Sequence, residues 1–485
     1  MKYAPLRMLA VTLILAGSQG VHAGGLFVTV DLAKGEAVDV NLTDGSTASV
    51  ELIDVEESRG NVWHEVNRAA VVLKVNGVEV TIESGMYRLP QTVGGVQVDC
   101  PVTRAVQDHS HIDWWTLEKD ARLRIWPGDS PWITDGTFVY PVRQEWFASQ
   151  TWFTNEPVSV RPDGKLYYHS GLDIGGAEGL VDVLAATDAR IVSLGTDVLP
   201  GHEMDSPVEP RYDVIYLLDE RGWYYRYSHL QSFVEGLKLG DRVAMGQQIG
   251  TLGKEGASGG WSHLHFEIKS RQPSGRWGTL DSYAFLWQAY LQQYSPNVIA
   301  VARPGHVIFA GESVQHDATR SWTSADHIAS YEWTFSDGTT AVGPTPMHAY
   351  EKPGAYRETL KVTDSDGNVD YDFVRVTVYD PTHPDRTPAA LHAAFSPTFD
   401  IHAGTPVAFK VRAFQTTHGE ETWDFGDGSD TVTAQSDGNV DPRNKNGYAV
   451  TTHRYKKPGD YLVHVKRIDE HGHTAEDRLH VRVQP

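Results

Sequence analysis

The sequence predicts a mainly β chain, built of several antiparallel units and closed by two sandwich modules. Three observations carry that expectation. Apolar and polar residues alternate at period two through much of the chain, the mark of strands with one covered face. Glycine (45) and proline (25) are frequent and fall between short Val- and Thr-rich runs, as turns between strands require. A pattern of about ninety residues, the size of one β-sandwich, occurs twice near the C-terminus. At 485 residues the chain is too long for a single core.

Taken in order, residues 1–23 read as an export signal. Lys2 and Arg7 precede a short apolar run, MLAVTLILAG (8–17), and VHA (21–23) has the small-x-small form of a cleavage site. The run is too short to span a bilayer, and no other segment is long and apolar enough. The chain is therefore expected to be exported, periplasmic or extracellular, and not membrane-spanning. Residues 24–135 read as an N-terminal β domain of no recognised family. ASVELIDV and AVVLKVNGVEVTI alternate, and VNGVEV (75–80) carries an Asn-Gly hairpin signal. Cys100 is the only cysteine; it lies in an alternating stretch and reads as a buried small hydrophobe, with no disulfide available.

Residues 136–297 form a second unit of short strands and glycine turns, dense in KLGDRVAMGQQIGTLGKEG (238–256). SYAFLWQAYLQQYS (282–295) is its one good helix candidate, with apolar residues recurring at three and four. The repeat follows. YEWTFSDGTT (331–340) recurs as ETWDFGDGSD (421–430), and HAYEKPGAYRETLKV (348–362) recurs as HRYKKPGDYLVHVKR (453–467). This gives modules at 298–381 and 388–485, joined by the Pro- and Asp-rich DPTHPDRTP (380–388). The net charge of −21 disfavours a nucleic-acid partner, which would need a basic face.

The chemistry concentrates in the second unit. In GGWSHLHFEIKS (259–270), His263 and His265 are one residue apart and share one face of a strand, while Leu264 and Phe266 turn toward a core. Two imidazoles on one face suit a metal site or a ligand–base pair. HSGLD offers His169 and Asp173, with Gly171 free to turn between them. His, Asp and a further His make a three-ligand zinc set that keeps one position for water. His229, in RYSHLQS, ends another strand-like run.

H-x-G-x-D, Y-S-H-L, G-D-x-V-x-x-G-Q-x-I-G and S-H-L-H-F-E-I occur in that order. Together they resemble the lysostaphin/LytM-type zinc metallopeptidases, over roughly residues 138–270. The resemblance implies an antiparallel β catalytic domain of barrel-sandwich hybrid form and cleavage of peptide bonds in peptidoglycan stem peptides or cross-bridges. It implies one zinc ion held by His169, Asp173 and His265. His263 would be the general base, and His229 would assist at the polarised carbonyl or the water. Zinc lowers the pKa of its water to about 7, and the ligand imidazoles must be neutral, so activity is expected to fall in acid. The repeat resembles the PKD domain, an immunoglobulin-like β-sandwich. Such modules usually serve as spacers or as adhesion modules for a cell-surface polymer or protein.

Two other functions are weighed. A non-catalytic LytM-like activator of another wall hydrolase would be expected to lack ligands, and here all five positions are filled. An iron oxygenase with two histidines and one carboxylate usually spaces His and Asp by two rather than four, and has no use for His263. Three further segments are set aside. DHSHID (108–113) lacks a second ligand pair. DSDGN (364–368) lacks the glutamate of a calcium loop, Arg375 standing in its place, and reads as a tight turn. Residues 196–211, with His202, Glu203 and Asp205, read as a solvated insertion. Trp261 and Tyr168, beside the histidines, are candidates for the wall of a peptide groove.

Overall fold

A computed structural model describes residues 25–485, and its regular secondary structure is almost entirely strand. The export signal expected at residues 1–23 lies outside the described residues. No helix among the described residues is long and apolar enough to cross a membrane.

The N-terminal part packs two four-stranded sheets face to face. One orders Val28–Leu32, Ala121–Pro127, Val96–Thr103 and Gln91–Val93; the other orders Ala37–Asn41, Thr47–Arg59, Val66–Val75 and Val78–Glu83. Alternate residues of both meet in one core, with Val50, Leu52, Leu73, Val98, Leu123, Ile125 and Cys100 buried. The hairpin at Asn76-Gly77 forms with both residues at positive φ (48° and 84°), so Val75 pairs with Val78.

The middle part is built on a long antiparallel sheet. Its order runs Ala189–Leu194, Ile215–Leu218, Tyr224–Ser228, His263–Arg271, Leu172–Gly175 and Thr151–Trp152. A three-stranded sheet (Asp182–Leu184, Gln248–Leu252, Leu230–Phe233) and the helix Tyr283–Tyr294 belong to the same core as its back face. Leu172, Ile174, Tyr225, Tyr227, Leu264, Phe266 and Ile268 fill that core with Phe285 and Trp287 of the helix. The back face is therefore apolar, and the opposite face of the same strands is left to the polar side chains.

The C-terminal part contains the two repeats, with Trp333 and Trp423 buried in their respective cores. DSDGN forms the expected tight turn: Asp364 accepts bonds from the N–H groups of Asp366 and Asn368. The repeats do not hang as separate beads. Gly354 and Ala355 of the first pair in parallel with Thr474 and Ala475 of the second, so strands of both join one sheet. Arg357 clamps the joint through Asp477 at 2.9 Å.

Candidate metal centre and groove

Strand register builds the site. Across the polar face, Ser228, His265, Asp173 and Trp152 stand in one row, each paired to the next on the neighbouring strand. Directly opposed residues on antiparallel strands project to the same face with Cβ atoms ~5 Å apart. His263 lies two residues from His265 and so joins that face, paired with Gly175. His169 enters from the turn before Asp173. That turn needs Gly171, which sits at φ +71°; a Cβ there would meet the Phe266 carbonyl oxygen at 2.5 Å.

The donors converge. His169 Nε2 is 3.0 Å from Asp173 Oδ2, His265 Nδ1 is 2.9 Å from Asp173 Oδ1, and His265 Nδ1 is 3.3 Å from His169 Nε2. For metal–ligand bonds of ~2.1 Å, the edge of a tetrahedron is roughly 3.4 Å, so these separations fit one tetrahedral ion with a fourth position open. It is the one triad of such donors among the described residues. The outer partners fit as well. His169 Nδ1 faces the Gly171 carbonyl at 3.1 Å, which leaves Nε2 for a metal. His265 Nε2 faces buried Glu267 at 3.8 Å, and Glu267 is itself held by Lys269 at 2.7 Å and the Thr279 hydroxyl at 2.8 Å. Glu267→Gln is therefore expected to weaken metal affinity by about 10–100-fold while leaving the stoichiometry at one. Titration against a competing chelator reads this.

His263 and His229 stand beside the triad without joining it. Their rings are 4.6 Å apart. His263 Nδ1 lies 3.1 Å from the Trp261 carbonyl, so its Nε2 points to the triad, 3.3 Å from Asp173 Oδ2. His229 adopts φ +68°, a strained conformation for a non-glycine residue. Asp213 holds it there by accepting its backbone N–H at 2.9 Å, and the Glu255 carbonyl fixes Nδ1 at 2.7 Å. Burial lowers the pKa of both rings, that of His263 well below the usual value, so both are neutral proton acceptors near pH 7. Burial would raise Asp173, but His169 and His263 outweigh it and hold the carboxylate well below its usual range. Burial would lower His265, but the bonds to Asp173 and Glu267 win and raise it.

The site floors a groove of about 370 Å³. Trp261, a candidate for its wall from the sequence, lines it and stacks its indole on His263 at 3.9 Å between ring centres. Tyr168 is not on the wall. It is buried, and its hydroxyl accepts the Val66 N–H of the N-terminal sheet; its neighbour Tyr167 lines the groove instead. In DHSHID, His109 and His111 face the Ala105 and Leu166 carbonyls through Nδ1, and the donor cluster found among the described residues lies elsewhere. The 196–211 segment lines no part of the groove. It covers the same sheet face further along, with Leu199 and Val208 on Tyr216, Tyr224 and Trp277.

The repeats depart most from expectation, because they are not remote spacers. Arg375 of the first, and Leu391, His392 and Phe414 of the second, line the groove. The polar insertion of the second repeat grips the loop before the histidine pair. Arg412, fully buried and paired with Asp437 at 2.7 Å, donates to the Gly260 carbonyl at 2.5 Å, and Asn439 donates to the Gly259 carbonyl at 3.0 Å. The Ser262 N–H donates to the Tyr448 hydroxyl, which faces His392 Nδ1 at 2.7 Å. No local signal in the repeat marks these residues. Arg412→Met leaves Asp437 without its cation, and losing one partner of a buried pair costs ~3–5 kcal/mol. The expected result is a lower midpoint of denaturation together with a reduced kcat, because the loop carrying His263 loses its brace. Chemical denaturation and steady-state kinetics check both.

A buried His–Asp–His triad with an open position, flanked by two neutral imidazoles in a groove, is a candidate site for one metal ion. Family comparison agrees. Residues 167–275 match the model for peptidase family M23, and residues 295–378 and 390–483 match two models for the PKD domain. The chain thus carries an M23 peptidase domain followed by two PKD domains. Among curated proteins it is similar to a microbial collagenase of Vibrio alginolyticus, 32% identical over 110 residues, which are 21% of this chain and 13% of that protein. It is also similar to collagenase ColA of Clostridium perfringens, 30% identical over 79 residues, 16% of this chain and 7% of that one. The chain therefore spans only a small part of these relatives. Among solved structures, a mutant catalytic domain of the prophage-encoded M23 protein EnpA from Enterococcus faecalis shows 16% identity over 28% of this chain and 87% of its own, with a TM-score of 0.20. Lysostaphin from Staphylococcus simulans shows 19% over 45% and 86%, with a TM-score of 0.21. These two likenesses are too slight to bear on function.

Proposed function

We propose that the chain is an exported zinc endopeptidase that hydrolyses peptide bonds in the stem peptides or cross-bridges of peptidoglycan. The observation that carries this reading is the convergence of His169, Asp173 and His265 on one point, with His263 and His229 facing the same point from the open side of the groove. Zinc in the triad would supply Lewis acidity and a water acidic enough to ionise near neutral pH. His263, neutral and with Nε2 turned inward, accepts the proton of the attacking water and returns it to the leaving amine. His229, locked by Asp213 and Glu255, presents its other ring nitrogen, a hydrogen-bond acceptor in the neutral ring, to the attacking water and so helps orient it. All donors are filled and internally braced, which favours this reading over a metal-free regulator of another hydrolase.

Purified murein sacculi test it. Incubation with the zinc-loaded protein is expected to release peptide-linked fragments with new amino and carboxyl termini, identified by mass spectrometry. Absence of release at full zinc occupancy would sink the wall-hydrolase reading.

A further inference from the structure

One wall of the groove carries a cation with no carboxylate at salt-bridge distance among the described residues. Arg375 lies on the strand Val369–Tyr379 of the first PKD domain. Its guanidinium carbon sits 3.6 Å from the ring centre of Trp152, and Trp152 pairs directly with Asp173. With opposed side chains ~5 Å apart and the guanidinium stacked beyond the indole, the cation stands roughly 10 Å from the triad, about the length of three extended peptide residues.

Its surroundings make it unusual. Four arginines gather where the PKD domains meet the peptidase domain. Arg303 pairs with Asp372 at 3.0 Å, Arg357 with Asp477 at 2.9 Å, and Arg478 approaches Glu476 at 3.7 Å. Arg375 has no carboxylate partner among the described residues, and its Nε is buried without a hydrogen-bond partner. Burial, with Arg357 beside it, pulls its pKa down to about 9, and the more distant Glu156 only partly opposes that shift. Asp173 is the sole acid lining the groove, and the histidines already claim it. A guanidinium held flat on an indole offers a forked set of donors in a fixed plane, which matches both oxygens of a carboxylate.

We propose that Arg375 is a carboxylate subsite of the groove, binding a free carboxylate of the peptide substrate about three residues from the bond to be cut. Arg375 thus determines specificity, and the first PKD domain is part of the substrate-binding surface. The proposal rests on the peptidase reading above.

The test uses the full zinc-loaded chain and two probes: the cross-linked stem-peptide dimer isolated from murein, and its twin with carboxylates converted to primary carboxamides. Wild type is expected to cleave the carboxylate form with a kcat/KM roughly 10- to 100-fold higher, chiefly through KM, as for a charge-assisted bond. In Arg375→Gln that ratio falls to about one, and in Arg375→Lys it is intermediate. Zinc stoichiometry and circular dichroism of both variants exclude a folding defect. An unchanged ratio in Arg375→Gln, or a ratio of one in wild type, overturns the subsite while leaving the peptidase standing. Failure of wild type to cleave either probe overturns the peptidase reading instead. Calorimetric binding of the two probes to the zinc-loaded protein then still decides the subsite, equal affinity refuting it.

Discussion

Replacing Asp173 by alanine is expected to release the metal and reduce murein cleavage to background. The carboxylate is the hub of the centre, 2.9–3.3 Å from nitrogens of His169, His263 and His265. It is the only anionic donor of the triad, so its loss removes both a ligand and the charge that offsets a divalent cation. Losing a residue that merely orients a ligand typically costs 10–100-fold in metal affinity, and losing the ligand itself should exceed that. Zinc content after desalting and fragment release from sacculi would be measured together. Asp173→Asn, close in shape, controls for the volume removed. If the alanine variant kept one zinc per chain and full activity, the triad would not be the metal site.

His263→Ala is expected to separate binding from turnover. The side chain lies outside the donor triad, so zinc should remain at one per chain. The proton acceptor is gone, however, and general-base catalysis contributes about 10²–10⁴-fold to rate. The loss should fall on kcat, with KM little changed, because Trp261 and the groove walls stay. Loss of zinc from this variant would make His263 a ligand. Turnover at the parent rate would leave the base unassigned. Both results differ in kind from those expected of Asp173→Ala, so the pair tests the division of labour between the carboxylate that holds the metal and the histidine that moves the proton.

Much of this was legible in the sequence. Alternation at period two places His263 and His265 on one face and Leu264 and Phe266 in the core, and the structure keeps that arrangement. The helix at 283–294 and the Asn76-Gly77 turn follow equally from local pattern. Bringing His169 and Asp173 to the same point is a matter of strand order, which no local period encodes; there the motif resemblance supplied the pairing. The remainder of the groove was not legible. Arg375 sits in YDFVRVTVY and Arg412 in VAFKVRAF, where each occupies a polar position of an alternating strand. Such a position predicts solvent, and only tertiary packing tells which polar faces become covered. His392, in a run of small residues, gives no sign that it will meet Trp261. Glu267 falls within the S-H-L-H-F-E-I stretch, yet nothing local marks it as the support behind His265.

The parallel pairing of Gly354–Ala355 with Thr474–Ala475 bears on how this protein can change over generations. Repeats strung on flexible tethers can be gained, lost or exchanged, because each closes its own surface. Here an edge of one repeat is completed by the other, and both lean on the groove of the peptidase domain. A deletion of the last repeat would strip a sheet edge, unseat the Gly259–Gly260 loop and open the cleft at once. The two copies are therefore expected to be inherited as a single unit with the peptidase domain, with substitutions in either tied to changes across that joint rather than drifting independently.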